Sequence, residues 1–260
     1  MRDRELIIMK ISFRLFAVIL VSVCLPAIAA AQESSVRPGI NDNYEKATVE
    51  QKIKQFERAN RDVVQKKDDI LEICELKSGM DVADVGAGTG LFTRLFAEKV
   101  KSADNVKPDN TADPNEKAKP DGTVYAVDIT RKFVEHIEKT CREQNIENVV
   151  GVVCPPDSTK LEPNSVDLIF TCNTYHHLEY PHKVLASMHA ALRNGGRLIV
   201  IDFKKDEEAS PKWVMEHVRA GRKTVTKEIT EAGFKFIDAP PLMKMQYVLR
   251  FEKKSKPVKK

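Results

Sequence analysis

The sequence predicts an α/β domain, a doubly wound and mostly parallel sheet of seven strands. Three observations carry that prediction. Short apolar runs alternate with stretches of helical period, the pattern of a parallel sheet covered by helices. A glycine-rich loop, Asp84-Val85-Gly86-Ala87-Gly88-Thr89-Gly90, sits where the first strand turns into a helix. Asp128 then closes the second strand, 17 residues beyond Gly90 once a 21-residue polar insertion is set aside.

The elements follow in order. Residues 49–76 have helical spacing, with Ile53, Phe56, Val63, Val64, Ile70 and Ile73 as the inner face. A strand at 81–85 leads through the glycine loop into a helix at 91–100, and a strand at 124–128 into a helix at 130–143 with Thr130 as N-cap. Strands are expected at 149–154, 166–172 and 197–203. Between the last two lies a helix at 181–192, with proline at its first position and Asn194-Gly195-Gly196 ending it. A helix at 227–232 closes on Gly233, and strands at 234–237 and 245–251 are expected to add an antiparallel edge. The segment 203–223 carries Trp213 and Met215, and a single tryptophan in an amphipathic stretch is expected in the core.

Composition bounds the function. The 260 residues are 42% hydrophobic and 31% charged, which excludes a collagen-like, fully disordered or polytopic membrane chain. The net charge of +4 comes largely from Lys253, Lys254, Lys256, Lys259 and Lys260 at the end, so no nucleic-acid partner is expected. Residues 1–31 read as a secretory signal peptide: Arg2, Arg4, Lys10 and Arg14, then an apolar run from Leu15, then Pro26 and an alanine cluster ending at Ala31. The expected product is exported to the periplasm. The alternative is an uncleaved inner-membrane anchor, since residues 13–31 approach the ~20 a spanning helix needs.

The remaining organisation is a linker at 32–48, one domain at 49–252 with a flexible insertion at 101–121, and a basic tail at 253–260. The insertion carries four lysines and five acidic residues but only Val106 as a sizeable apolar side chain, too little to offset its ordering entropy. Cys74, Cys141, Cys154 and Cys172 form no CxxC pair, and no disulfide is expected.

The glycine spacing selects among nucleoside ligands. A dinucleotide fingerprint wants its third glycine three residues after the second, where this chain has Leu91. No Gly-Lys-Ser/Thr cradle for a triphosphate follows either. An uncharged or zwitterionic adenosyl ligand fits better, with Asp128 accepting its ribose hydroxyls.

The loop at 84–90, Asp128 after Tyr-Ala-Val, the strand Val166-Asp167-Leu-Ile-Phe170 and the run Leu192-Arg-Asn-Gly-Gly-Arg-Leu-Ile-Val-Ile201 occur here in one order. In these the chain resembles the class I, seven-stranded, Rossmann-like methyltransferases that use S-adenosylmethionine, over roughly residues 50–250 apart from the insertion. Its domain is similar to that of quinone-type C-methyltransferases. The resemblance implies S-adenosylmethionine as cofactor. It implies that Gly86, Gly88 and Gly90 line the methionine and ribose portion, that Asp128 holds the ribose diol, and that Asp84 orients the loop or meets the ammonium through water. Asp157 would meet the adenine amino group, although Cys154-Pro155-Pro156-Asp157 replaces the usual Gly-Asp-Ala.

Methyl transfer from a sulfonium is an in-line displacement, so alignment comes first and proton removal second. By the resemblance, a small-molecule acceptor lies at the end of the fourth strand, at Thr171-Cys172-Asn173-Thr174-Tyr175-His176-His177. The carboxyl ends of strands in an open parallel sheet are also the general place for ligands. Asn173 is a candidate for the donor's amino-acid end or the acceptor. His176 is a candidate general base, with packing or capping as its structural alternative, as for His177. No metal is expected: His176, His177, His182 and His189 fall within fourteen residues without the spacing of a zinc-binding helix. The chain lacks an Asn-Pro-Pro-Tyr or Asp-Pro-Pro-Tyr signature, which lowers amide or base nitrogens as targets. An exported binding protein that keeps the fold without turnover is the alternative function.

Overall fold

The computed structural model describes residues 32–102 and 121–254. Its sheet has seven strands: β1 (Val82–Val85), β2 (Val124–Asp128), β3 (Val149–Val153), β4 (Val166–Cys172), β5 (Leu192–Phe203), β6 (Phe234–Asp238) and β7 (Gln246–Lys253). The spatial order is β3-β2-β1-β4-β5-β7-β6. Strands β1 to β5 pair in parallel, and β7 pairs antiparallel with both β5 and β6. The expected antiparallel edge therefore needs correcting. Only β7 is reversed, and it is inserted inside the sheet; β6 forms the edge and runs with the others.

Successive residues on a strand face opposite ways, so the sheet feeds two cores. On one side Ile199 and Ile201 pack with Phe92, Phe96 and Phe170, under α4 (Lys67–Cys74), α5 (Leu91–Val100) and α6 (Arg131–Glu143). On the other, Leu198 and Val200 pack with Leu185, Met188 and Ile229, under α7 (Pro181–Ala191) and α9 (Arg222–Glu231). Every residue of β1 is buried, as expected of a parallel strand covered on both faces.

Several predicted boundaries shift. The stretch 49–76 breaks into α2 (Val49–Phe56), α3 (Asp62–Gln65) and α4. A capping box between Thr48 and Gln51 starts α2, and the Arg61 guanidinium donates to the Phe56 carbonyl where it stops, at 2.6 Å. Helix α7 runs straight into β5, so Asn194 to Gly196 lie inside the irregular start of that strand rather than forming a helix cap. Helix α9 begins five residues before the predicted 227, and α8 (Lys212–His217) precedes it. Thr130 occupies the N-cap position of α6, but its side chain makes no capping bond.

The segment expected to be a linker is instead built onto the domain. Gln32 donates to the Glu179 carbonyl at 3.0 Å, the Val36 N–H to the same carbonyl at 2.9 Å, and Asn41 to the His177 carbonyl at 3.1 Å. A short helix, α1 (Asp42–Lys46), follows. Polar side chains reaching distant backbone carbonyls do this work, and hydropathy patterns do not register them. Among the described residues, Cys74, Cys141, Cys154 and Cys172 are free thiols. Lys253, assigned to the tail, ends β7 with its ammonium on the Leu192 carbonyl. The signal peptide at 1–31, residues 103–120 of the insertion and tail residues 255–260 lie outside the described residues. Among the described residues, no helix is long and apolar enough to cross a membrane.

Candidate functional site

A cleft of about 1150 Å³, counting its open mouth, lies at the carboxyl ends of β1, β2 and β4.

The glycine turn forms one end. Gly86, Gly88 and Gly90 take φ values of +74°, +55° and +80°, left-handed backbone that side-chain-bearing residues resist. At Gly86 a Cβ would fall 2.1 Å from Thr174 Cγ2. Gly86 and Gly88 line the cleft; Gly90 does not, and serves as the N-cap of α5.

Two acids flank the turn. Asp84 is buried and accepts the Thr93 hydroxyl at 2.7 Å. Burial pushes its carboxyl up to about 7, the Thr93 hydrogen bond opposes that, and nearby Asp128 adds to it. The Asp128 carboxylate accepts the Gly88 N–H at 2.9 Å and the Thr130 N–H at 2.8 Å, fixing the loop against the end of β2. Burial raises this carboxyl too, against those same bonds. Both acids line the cleft.

Asp157 does not. It stands 40% exposed, paired with Lys183 at 3.4 Å, while Pro155, Pro156, Ser158 and Thr159 line the cleft instead. Consecutive prolines fix the local backbone and carry the carboxylate past the position the resemblance implied.

The other end is assembled from distant segments. Asn173 lies at φ +53°, donates its N–H to the Ile201 carbonyl at 2.7 Å, and leaves both its buried side-chain amide atoms without a partner. An unmet buried polar group costs about 1–3 kcal/mol, so a ligand that supplies a partner at Asn173 recovers it. His177 lines the cleft, with its Nε2 3.0 Å from Tyr44 Oη and 3.3 Å from His217 Nε2. Burial, reinforced by His176 and His217, drives its pKa down to about 2, so the ring is neutral.

His176 corrects the expectation of a general base. It does not line the cleft and is 3% exposed. Its N–H donates to Asp202 Oδ2 at 2.9 Å and its Nδ1 lies 2.7 Å from Asp202 Oδ1. The ring is held behind His177, with 4.2 Å between their centroids. Trp213 is not core: it is 49% exposed and meets only the edge of Phe203, centroids 5.0 Å apart. Neither Trp213 nor Met215 lines the cleft.

Tyr44, Phe56 and Arg61 line the cleft from the N-terminal segment; Phe56 was expected on an inner helix face, while Tyr44 and Arg61 carried no sequence signal. Arg61 is drawn into low polarity, which lowers its pKa, and has no carboxylate partner among the described residues. Asp202 could have been found by asking what ends β5; His217 could not.

The model of a family described as a methyltransferase domain matches residues 76–236. The chain belongs to this methyltransferase family. It is a class I enzyme whose cofactor is S-adenosylmethionine. It is 23% identical over 193 residues to the ubiquinone/menaquinone biosynthesis C-methyltransferase UbiE of Hydrogenovibrio crunogenus, covering 63% of this chain and 69% of that one. Its fold matches an S-adenosylmethionine-dependent methyltransferase from Aquifex aeolicus, with a TM-score of 0.63, 23% identity, and coverage of 79% of this chain and 98% of the other. It also matches the Burkholderia thailandensis 1,6-didemethyltoxoflavin-N1-methyltransferase with bound 1,6-didemethyltoxoflavin and S-adenosylhomocysteine, at TM-score 0.55, 19% identity, and coverage of 83% and 87%. The site fits the cofactor: a glycine turn, a buried carboxylate and an unpartnered amide all line the cleft.

Proposed function

We propose that this methyltransferase acts on a small-molecule acceptor by in-line transfer, with the acceptor at the Asn173–His177 end of the cleft. The carrying observation is the unpartnered amide of Asn173, which lines the cleft together with the glycine turn and His177. S-adenosylmethionine, when bound, supplies a methyl group on a positively charged sulfur. Asp128 takes the ribose diol, Gly88 admits the ligand close to the backbone, Gly86 makes room for Thr174, and Asp84 balances the ligand's ammonium. Ser158 and Thr159 replace Asp157 on the adenine side. Asn173 spans the donor's amino-acid end and the acceptor, and neutral His177 accepts a hydrogen bond from the acceptor. His176, held by Asp202, is a positioning residue for His177.

The test is transfer of a labelled methyl group from S-adenosylmethionine to cell extract by the purified chain, with products separated by size. Label in the small-molecule fraction supports the proposal; label in protein or nucleic acid overturns it. Donor that binds but is never consumed favours a passive binding protein.

We also propose export with cleavage after Ala31. The basic start, the apolar run from Leu15 and the alanine cluster ending at Ala31 support this reading. Mass spectrometry of the cell-derived protein tests this: a mature N-terminus at Gln32 supports it, and a retained Met1 or Met9 favours the anchor.

A further inference from the structure

Three histidines from two separate segments converge beside the cleft. His176 and His177 lie in the 3-10 turn Tyr175–His177 after β4, and His217 ends α8. One ring nitrogen of each lies within 4.8 Å of those of the other two. The Nε2 atoms of His177 and His217 are 3.3 Å apart. Two imidazole nitrogens, each about 2.0–2.1 Å from a tetrahedral zinc ion, stand roughly 3.3 Å from one another, so this contact has the length of a ligand edge.

The hydrogen-bond chemistry points the same way. His177 Nδ1 has no partner, so all polar contact of that ring falls on Nε2, which faces both Tyr44 Oη and the nitrogen of His217. A neutral imidazole nitrogen is either a donor or an acceptor, and one atom is poorly matched to both neighbours at once. His176 differs. Its Nδ1 faces Asp202 Oδ1 at 2.7 Å, so the neutral ring would carry its proton there and keep Nε2 for a metal. A carboxylate behind a histidine is the usual outer support of a metal ligand.

The backbone around the cluster is fixed as well. Arg37 donates to the His217 carbonyl at 2.6 Å and the Glu216 carbonyl at 2.9 Å, and Asn41 donates to the His177 carbonyl at 3.1 Å. The N-terminal segment thus clamps both turns that carry the rings.

We propose that His176, His177 and His217 bind one divalent transition-metal ion, with zinc the best match, Asp202 orienting His176 and a fourth position left for water. Imidazole nitrogens select zinc, cobalt, nickel or copper over magnesium or calcium, which prefer oxygen. Of the four histidines on which the expectation of no metal rested, His176 and His177 are in the cluster and His182 and His189 are not. Metal binding does not rest on the methyl-transfer reading, but an ion on His177 Nε2 replaces the hydrogen bond which that reading gives His177.

The experiment is a cobalt titration of the full chain after chelator treatment, without donor or acceptor. The expected result is the strong visible absorption of four-coordinate cobalt, saturating at one equivalent and displaced by zinc. His217→Ala should weaken binding at least about tenfold, and Asp202→Asn by about 10–100-fold, the usual effect of losing an outer-shell partner. His136→Ala, on α6 and outside the cluster, should leave it unchanged. A variant-free readout covers any folding defect: zinc should raise the Tm of the wild-type chain and magnesium should not. No four-coordinate cobalt spectrum from the wild type, equal binding by His217→Ala, or no zinc-dependent rise in Tm would overturn the proposal.

Discussion

The two ends of the cleft are built in opposite ways. The glycine end comes from residues 84–90 and Asp128, at the tips of two neighbouring strands, and its carboxylates already have partners: Asp84 with Thr93, Asp128 with Gly88 and Thr130. The histidine end draws Tyr44, Asn173, His177, Asp202 and His217 from segments spread over the chain, and it leaves the Asn173 amide and His177 Nδ1 unmatched. A self-satisfied backbone turn holds its shape before any ligand arrives. The other end is incomplete by itself, and its chemistry depends on what binds there.

The hardest blow to the rigid end is Gly86→Val. A β-branched residue in left-handed backbone costs about 1–2 kcal/mol, and overlap with Thr174 adds about 1–3 kcal/mol. Together these predict a stability loss of about 2–5 kcal/mol in urea unfolding, and a turn displaced by that strain should bind S-adenosylmethionine more weakly, read by calorimetry on protein whose circular dichroism is native. In Gly86→Ala/Thr174→Gly the overlap is relieved and only the backbone strain remains, so most of the loss should return. Affinity unchanged in Gly86→Val would mean that the turn is not the donor cradle.

Next comes Asp128→Ala. A hydrogen bond to a charged group contributes about 1.5–3 kcal/mol, so the dissociation constant should rise at least about tenfold. Asp128→Asn keeps one oxygen for Gly88 or Thr130 and should lose less. Wild-type affinity in both would dismiss the ribose assignment.

Asp84 gives a pH signature of opposite sign in two measurements. Its carboxyl is raised from 3.8 to about 7, mainly by burial. A ligand carrying positive charge prefers the carboxylate, so affinity should fall as pH drops through about 7. The unliganded fold, which holds a proton that the unfolded chain releases, should lose stability as pH rises from about 4 to 7. Asp84→Asn should flatten both profiles; a surviving pH step in binding would assign it to another group.

The same contrast explains what the sequence disclosed. The strands, their parallel run and the glycine end were legible, because apolar periodicity and a short motif at a strand end are local properties. The reversal of β7 inside the sheet was not, since no local feature of Gln246–Lys253 says which neighbour it joins. At the histidine end the motif residues pointed to the right turn but to the wrong ring: adjacent residues leave a 3-10 turn in different directions, and it is His177 that faces the cleft. Asp157 slipped for a similar reason, because two prolines moved it outward. Tyr44 and His217 reach the site only through tertiary contacts of the N-terminal segment and α8.

Trp213 tests the smallest difference, at the rim beyond the histidine end. A buried tryptophan truncated to alanine costs about 3–5 kcal/mol, which is what a core position would lose. Here the indole is half exposed and its one aromatic contact is the edge-to-face meeting with Phe203, a geometry worth about 0.5–1.5 kcal/mol. Trp213→Ala should therefore lower stability by about 1 kcal/mol in urea unfolding, with an unchanged m-value. Donor affinity should not move, because the side chain lies outside the cleft. A loss above about 3 kcal/mol would return Trp213 to the core. A weaker KM for acceptor at constant donor affinity would instead extend the acceptor end outward to α8, giving the histidine end a wall that the cleft alone does not include.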